Sequence, residues 1–252
     1  MPNKYLYLFL TPIILLALNE AFVFEPQFFF VSLSLGLLVI LFAVWKITKD
    51  SDSKYRLLYA LSPALFYLSF SLYSGILVNH FWIQVIFIFN ALFVFFYLRN
   101  LFKYLYTPSS EVEVKLYNLL QVGSFLSAFA LAATCYGLPI FLSWNFGLLL
   151  LLFIAVSFIL FGQSLIFSRE IKREQIRFLF INVFILAEFA AVLFFLPLSY
   201  NVLGLLVALV FYLLSVFDNL RLENRFNFRN IKWPLIITII MVMVILLSAR
   251  WL

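Results

Sequence analysis

The chain is poor in most of what soluble chemistry uses: among 252 residues it has one cysteine, one histidine and seven glycines, and 11% of its residues are charged. The single cysteine, Cys135, excludes an intramolecular disulfide and a cysteine-based zinc site. There is no glycine-rich phosphate loop, no H-E-x-x-H helix, no G-x-S-x-G elbow and no pair of aspartates within an apolar run. The late apolar stretches carry no lysine for a retinal-type Schiff base, and no stretch has a row of arginines to sense voltage. Nothing in the sequence calls for a metal or a cofactor.

What it has in excess is apolar surface. Hydrophobic residues make up 66% of the chain, against roughly 45–50% in soluble domains. About 20 apolar residues cross a hydrocarbon core about 30 Å thick, and cutting this chain at its charges and turn residues leaves room for nine such spans. The reading is an all-α, polytopic integral membrane helix bundle forming a single transmembrane domain over 1–252, with no soluble domain. The spans are expected near 5–24, 27–45, 57–77, 81–98, 115–137, 142–167, 178–196, 201–217 and 233–249. Eight is the alternative, with the first two forming a re-entrant pair around a short acidic turn. Pro12 lies inside the first span, and Pro63 and Pro234 near the starts of the third and ninth. Carbonyls freed by these prolines need donors from neighbouring helices or from hydroxyls such as Thr11 and Ser62.

Charge then sets direction. Sixteen of the seventeen Lys and Arg residues fall at the N-terminus (Lys4) or in four short segments. These hold Lys46, Lys49, Lys54 and Arg56; Arg99, Lys103 and Lys115; Arg169, Lys172, Arg173 and Arg177; and Arg221, Arg225, Arg229 and Lys232. The intervening connections carry none. Short cation-rich loops stay in the cytoplasm, so the expected topology in a plasma (inner) membrane is N-terminus inside and C-terminus outside. Arg250 and Trp251 would anchor the outer end. A cleaved signal peptide over 1–24 competes poorly, because Leu18 and Glu20 interrupt the small residues Ala17 and Ala21. The net charge of +6 belongs to the headgroup-facing loops, so the expected partners are the lipid bilayer and other membrane proteins, with no nucleic acid. The run from Arg221 to Lys232, with Phe226 and Phe228 between its charges, would suit a short segment on the inner membrane surface.

Inside the spans, Gly123, Ser127, Ala130, Thr134 and Gly137 recur at spacings of four, three, four and three. Such a stripe lets helix backbones approach closely in lipid, and places the fifth helix centrally. Lipid contact is the simplest account of the thirty-four phenylalanines. The outer turns share amides and turn formers, a pattern that turn chemistry alone demands.

Glu188 is the most informative polar residue. It lies eleven positions after Arg177 and nine before Pro197, about 16 Å deep at about 1.5 Å per residue. An ionisable group there costs about 2.5–3.5 kcal/mol on insertion scales, so it should face protein or water. It could act as a hydrogen-bonded pin or carry protons or cations. Asn90 is its expected amide partner by depth, with Asn182 and Gln163 nearer the inner surface. A second set sits at the outer face: Glu20, Glu25, Asn79, His80, Cys135 and Asn145. Of these, Glu20 and His80 are the candidates for interfacial chemistry. A Cys135–His80 nucleophile pair would need the base within hydrogen-bond reach of the thiol.

The stretch comprising Glu188, Phe195-Leu196-Pro197, Ser199, Asn201 and Phe211-Tyr212 resembles an uncharacterised family of small multi-pass bacterial membrane proteins, a domain of unknown function. The resemblance implies a bacterial plasma-membrane protein and draws attention to Glu188 and Pro197; it implies no activity. Because polar groups are few and scattered, the leading expectation is a membrane component without catalytic activity. A small-substrate or ion transporter using Glu188 is the alternative, followed by a lipid-acting enzyme at the outer interface.

Overall fold

A computed structural model describes residues 2–49, 56–163, 173–222 and 227–249. Among these residues there are nine α-helices: α1 (Pro2–Phe24), α2 (Phe29–Thr48), α3 (Arg56–Ser74), α4 (His80–Tyr106), α5 (Ser110–Leu142), α6 (Phe146–Gly162), α7 (Arg173–Leu193), α8 (Tyr200–Leu222) and α9 (Phe228–Ser248). A single 3₁₀ turn, Pro26–Phe28, joins the first two. Eight of the helices are long and apolar enough to cross a membrane, and α6 is a shorter apolar helix of 17 residues. The protein is a membrane-embedded, all-α helix bundle. Both α1 and α2 reach spanning length, so the pair has no need of a re-entrant path.

Helix ends differ most from the sequence reading at the charged segments. The segment around Arg99, Lys103 and Lys115 is helical rather than a loop: α4 continues to Tyr106 and α5 starts at Ser110, leaving residues 107–109 as the connection. Lys and Arg are good helix formers. Lys103 in the last turn of α4, and Glu111 with Glu113 in the first turn of α5, also suit the ends of the helix dipole. Pro63 and Pro234 lie inside α3 and α9 rather than at their starts. Residues 164–172 and 223–226 lie outside the described residues. The end of the sixth expected span, Arg169, Lys172, Arg225 and Phe226 therefore have no structural account, and the same holds for Lys54, Arg250 and Trp251.

Contacts divide the chain, read from its sequence as one domain, into two compact units, Met1–Ser127 and Ala128–Leu252. In the first, α1 neighbours α2 and α4, while α3 neighbours α2 and α4, closing a ring of four helices in chain order. Short connections between successive spans make such up-and-down neighbours the default. The start of α5 packs on this ring through Gly123, where an added Cβ would lie 2.4 Å from Cζ of Phe93. In the second unit α6 packs on α7, α7 on α8 and α8 on α9. The remainder of α5 meets α8 at Gly204, where a Cβ would come within 2.7 Å of the Ala133 backbone nitrogen. All five residues of the α5 small-residue stripe are buried.

Phenylalanine serves two purposes here, not lipid contact alone. Phe24, Phe30, Phe184 and Phe195 are among the exposed large apolar residues, whereas Phe66, Phe87 and Phe211 are fully buried. Phe66 stacks on Phe93 with ring centroids 3.6 Å apart, and Phe146 stacks on Phe194 at 3.8 Å. Flat rings fill the wide gaps between helices that small residues do not bring together.

Candidate functional site

A proline removes the N–H that would have closed the helical bond to the carbonyl four residues earlier, and in α3 that carbonyl belongs to Tyr59. Tyr97 of α4 donates its hydroxyl to the Tyr59 carbonyl at 2.7 Å. The same device recurs at a helix end: Ile47 sits in the last turn of α2, where carbonyls lack a helical partner, and Tyr106 Oη donates to it at 2.8 Å. Deeper in the ring, Tyr67 Oη lies 3.1 Å from Asn19 Oδ1 and 3.3 Å from the Ser32 carbonyl. Gly36 makes room for this phenol, since a Cβ at that position would sit 2.2 Å from the Tyr67 oxygen. Asn90 is almost wholly buried, and its Nδ2 faces the Tyr67 carbonyl at 3.5 Å. The amide expected to serve Glu188 is thus engaged within the four-helix ring.

The outer-face candidates have separate surroundings. Glu20 Oε2 accepts from Gln84 Nε2 at 3.1 Å, tying α1 to α4. Asn79 caps α4 by accepting from the Phe81 amide at 2.9 Å, and Asn145 caps α6 by accepting from the Gly147 amide at 2.8 Å. These two amides are N-caps, as the short side chains favour. His80 is exposed at the first residue of α4, and Glu25 is exposed with Gln27 at 3.4 Å. Cys135 is buried, with its thiol 3.6 Å from the Leu149 carbonyl. Its neighbour Tyr136 donates to the Ala190 carbonyl of α7 at 2.7 Å.

Towards the other ends of the helices in the second unit, Asn182 of α7 donates through Nδ2 to Asp218 Oδ2 of α8 at 2.6 Å. One turn on, the Arg221 guanidinium lies over the Phe178 ring, 3.7 Å from its centroid. Asp218 was not legible as a site residue: three positions before Arg221, it reads as part of a charged helix end. Gln163 is buried at the C-cap of α6.

Glu188 stands apart. The inward face of α7 is Asn182, Val183, Leu186, Ala190 and Leu193, all buried. At 100° per residue Glu188 points away from that face, and it is exposed among Ile181, Phe184, Ile185 and Val192, which are exposed too. The sequence reading places protein or water against it, and none of the described residues hydrogen-bonds or ion-pairs with it. The chemistry of the described polar groups is correspondingly simple. Tyrosine hydroxyls and amides join helix to helix, no three His, Cys, Asp or Glu residues converge as a metal site among the described residues, and one carboxyl faces outward from an apolar surface. No family model, curated protein or solved structure matches the chain.

Proposed function

We propose that this is a membrane component without catalytic activity, held in a bacterial plasma membrane with its N-terminus in the cytoplasm and its C-terminus outside, and acting through helix–helix contacts within the bilayer. One observation carries this reading. Tyr67, Tyr97 and Asn90 are buried in the four-helix ring and bond from helix to helix, whereas Glu188 is presented outward nearer the C-terminal end of α7. A carboxyl facing lipid costs up to about 2.5–3.5 kcal/mol on insertion scales, the value at a helix centre, and that cost falls when another transmembrane surface supplies hydrogen bonds. The resemblance around Glu188 and Pro197 fits the same cellular setting.

A dry protein-binding face and a wet transport pathway differ in water access. In a Cys135→Ser background, Glu188→Cys is treated with a small membrane-impermeant thiol reagent on intact cells and on inverted vesicles. The proposed role predicts no labelling from either side, with full labelling after denaturation. Labelling of the folded protein from either side would replace this reading with transport through an aqueous pathway at Glu188.

A further inference from the structure

We infer that the four-helix ring is a binding site for one small neutral ligand, a water molecule held between Ser71 of α3 and Asn90 of α4. Two side chains there bury polar atoms that the protein leaves unpaired. Asn90 is 1% and Ser71 3% exposed, and neither Asn90 Oδ1 nor Ser71 Oγ has a hydrogen-bond partner among the described residues. A buried polar group without a partner carries the full cost of its lost hydration, so each such atom calls for an occupant beside it.

Both atoms belong to side chains gathered at one carbonyl. A serine or threonine inside a helix can donate to the carbonyl four residues earlier, and Thr11, Ser69 and Thr134 do so here. Ser71 is spaced to treat the Tyr67 carbonyl in the same way and does not. Asn90 Nδ2 faces that carbonyl instead, at a long 3.5 Å, and the Ser71 hydroxyl lies on the side of the Tyr67 phenol without bonding to it. Turning the Asn90 amide over would set Oδ1 against the carbonyl oxygen, so no flip of the amide supplies the missing donor. The other two helices complete the polar surroundings through Asn19 Oδ1 of α1 and the Ser32 carbonyl of α2, which lie 3.1 and 3.3 Å from the Tyr67 hydroxyl.

The ligand follows from what these atoms need. Asn90 Oδ1 only accepts, whereas the Ser71 hydroxyl donates and accepts. The occupant must therefore donate to the amide and can do either towards the serine, which suits a buried water with its two to four polar partners. None of the five residues is charged. The acid next in sequence, Glu20, accepts from Gln84 at 3.1 Å. An alkali or ammonium ion among neutral groups in a dry interior would have no counter-charge to offset its lost hydration, so the site favours water over a cation. A water in this place bridges α3 to α4 where their direct contact is long.

X-ray radiolysis of a bound water releases hydroxyl radicals that oxidise the side chains beside it, so the unaltered protein in lipid bilayers reports the site. Tyr67 and Tyr97 are a matched pair, both 0% exposed, but the Tyr97 hydroxyl is already bonded at 2.7 Å to the Tyr59 carbonyl. The inference predicts that Tyr67 is oxidised several-fold faster than Tyr97, and that Ser71→Ala combined with Asn90→Leu brings Tyr67 down to the Tyr97 rate. Equal rates in the unaltered protein, or a Tyr67 rate unchanged in the double variant, would overturn it. Because the two side chains share one water, the losses of stability from Ser71→Ala and Asn90→Leu should be less than additive; additive losses would overturn the bridge. Replacing sodium by potassium or choline at constant ionic strength should leave the unfolding midpoint where it is, and a shift specific to one cation would overturn water in favour of a bound ion.

Discussion

The hydroxyl of Tyr97 replaces the hydrogen bond that Pro63 removes: it donates at 2.7 Å to the carbonyl of Tyr59, four residues before the proline, from a helix 38 positions away in sequence. Both tyrosines are buried. In water such a carbonyl would find a solvent partner, whereas in the hydrocarbon region it has the protein alone.

Tyr97→Phe deletes that donor without changing the ring. The expected loss is about 1 kcal/mol, within the range of interhelical hydrogen bonds in membranes, read as a lower midpoint of unfolding in mixed detergent. Pro63→Ala returns the helical N–H to the Tyr59 carbonyl, so Tyr97→Phe should cost clearly less in a Pro63→Ala background. Equal losses in both backgrounds would show that the hydroxyl matters for another reason.

Three glycines predict a graded series. A Cβ at Gly204 meets Ala133 backbone atoms at 2.7–2.9 Å, a Cβ at Gly36 meets the Tyr67 phenol at 2.2–2.5 Å, and a Cβ at Gly162 has nothing nearer than 3.9 Å. Backbone has no rotamer to change, so Gly204→Ala should be strongly destabilising, by about 1–3 kcal/mol or more for an overpacked contact. Gly36→Ala should also destabilise, and replacing Tyr67 by Leu should relieve part of the loss. Gly162→Ala should be neutral. Thermal unfolding of the purified variants ranks them.

Asn182 and Asp218 make a second test of interhelical bonding. Asp218→Leu leaves the Asn182 amide buried without its acceptor and should cost about 1–3 kcal/mol, the penalty of an unsatisfied polar group. Asp218→Asn keeps an acceptor in place and should cost less. If the two variants unfold at the same midpoint, the Asn182–Asp218 contact contributes little.

Topology gives the simplest check of orientation. Reporters fused after residue 252 should be active only when extracytoplasmic, and reporters in the connections at 50–55 and 107–109 only when cytoplasmic. Moving Lys and Arg from one side to the other should shift the balance, because short-loop cations set direction. A cytoplasmic C-terminal reporter would contradict the charge reading.

Much of the fold was legible because the length of an apolar run against bilayer thickness is a local property. Nine runs appear as nine helices among the described residues, with the turn amides Asn79 and Asn145 at the starts of α4 and α6. The need for a donor near Pro63 was legible as well, since the missing N–H belongs to the proline. The donor itself was not. Ser62 stood closer in sequence, but Tyr97 supplied the hydroxyl because packing of α3 against α4 places it there.

Length, hydropathy and charge by themselves determined that this chain is an all-α membrane protein and roughly where each helix begins and ends. The tertiary structure alone decided which way the helices face: that Tyr67 points at Asn19, that Asp218 holds Asn182, and that Glu188 looks outward from α7. In a soluble helix an apolar stripe marks the inward face. In this protein the bundle interior and the surrounding lipid are equally apolar, so composition carries no sign of facing, and only close packing and scarce hydrogen bonds choose it.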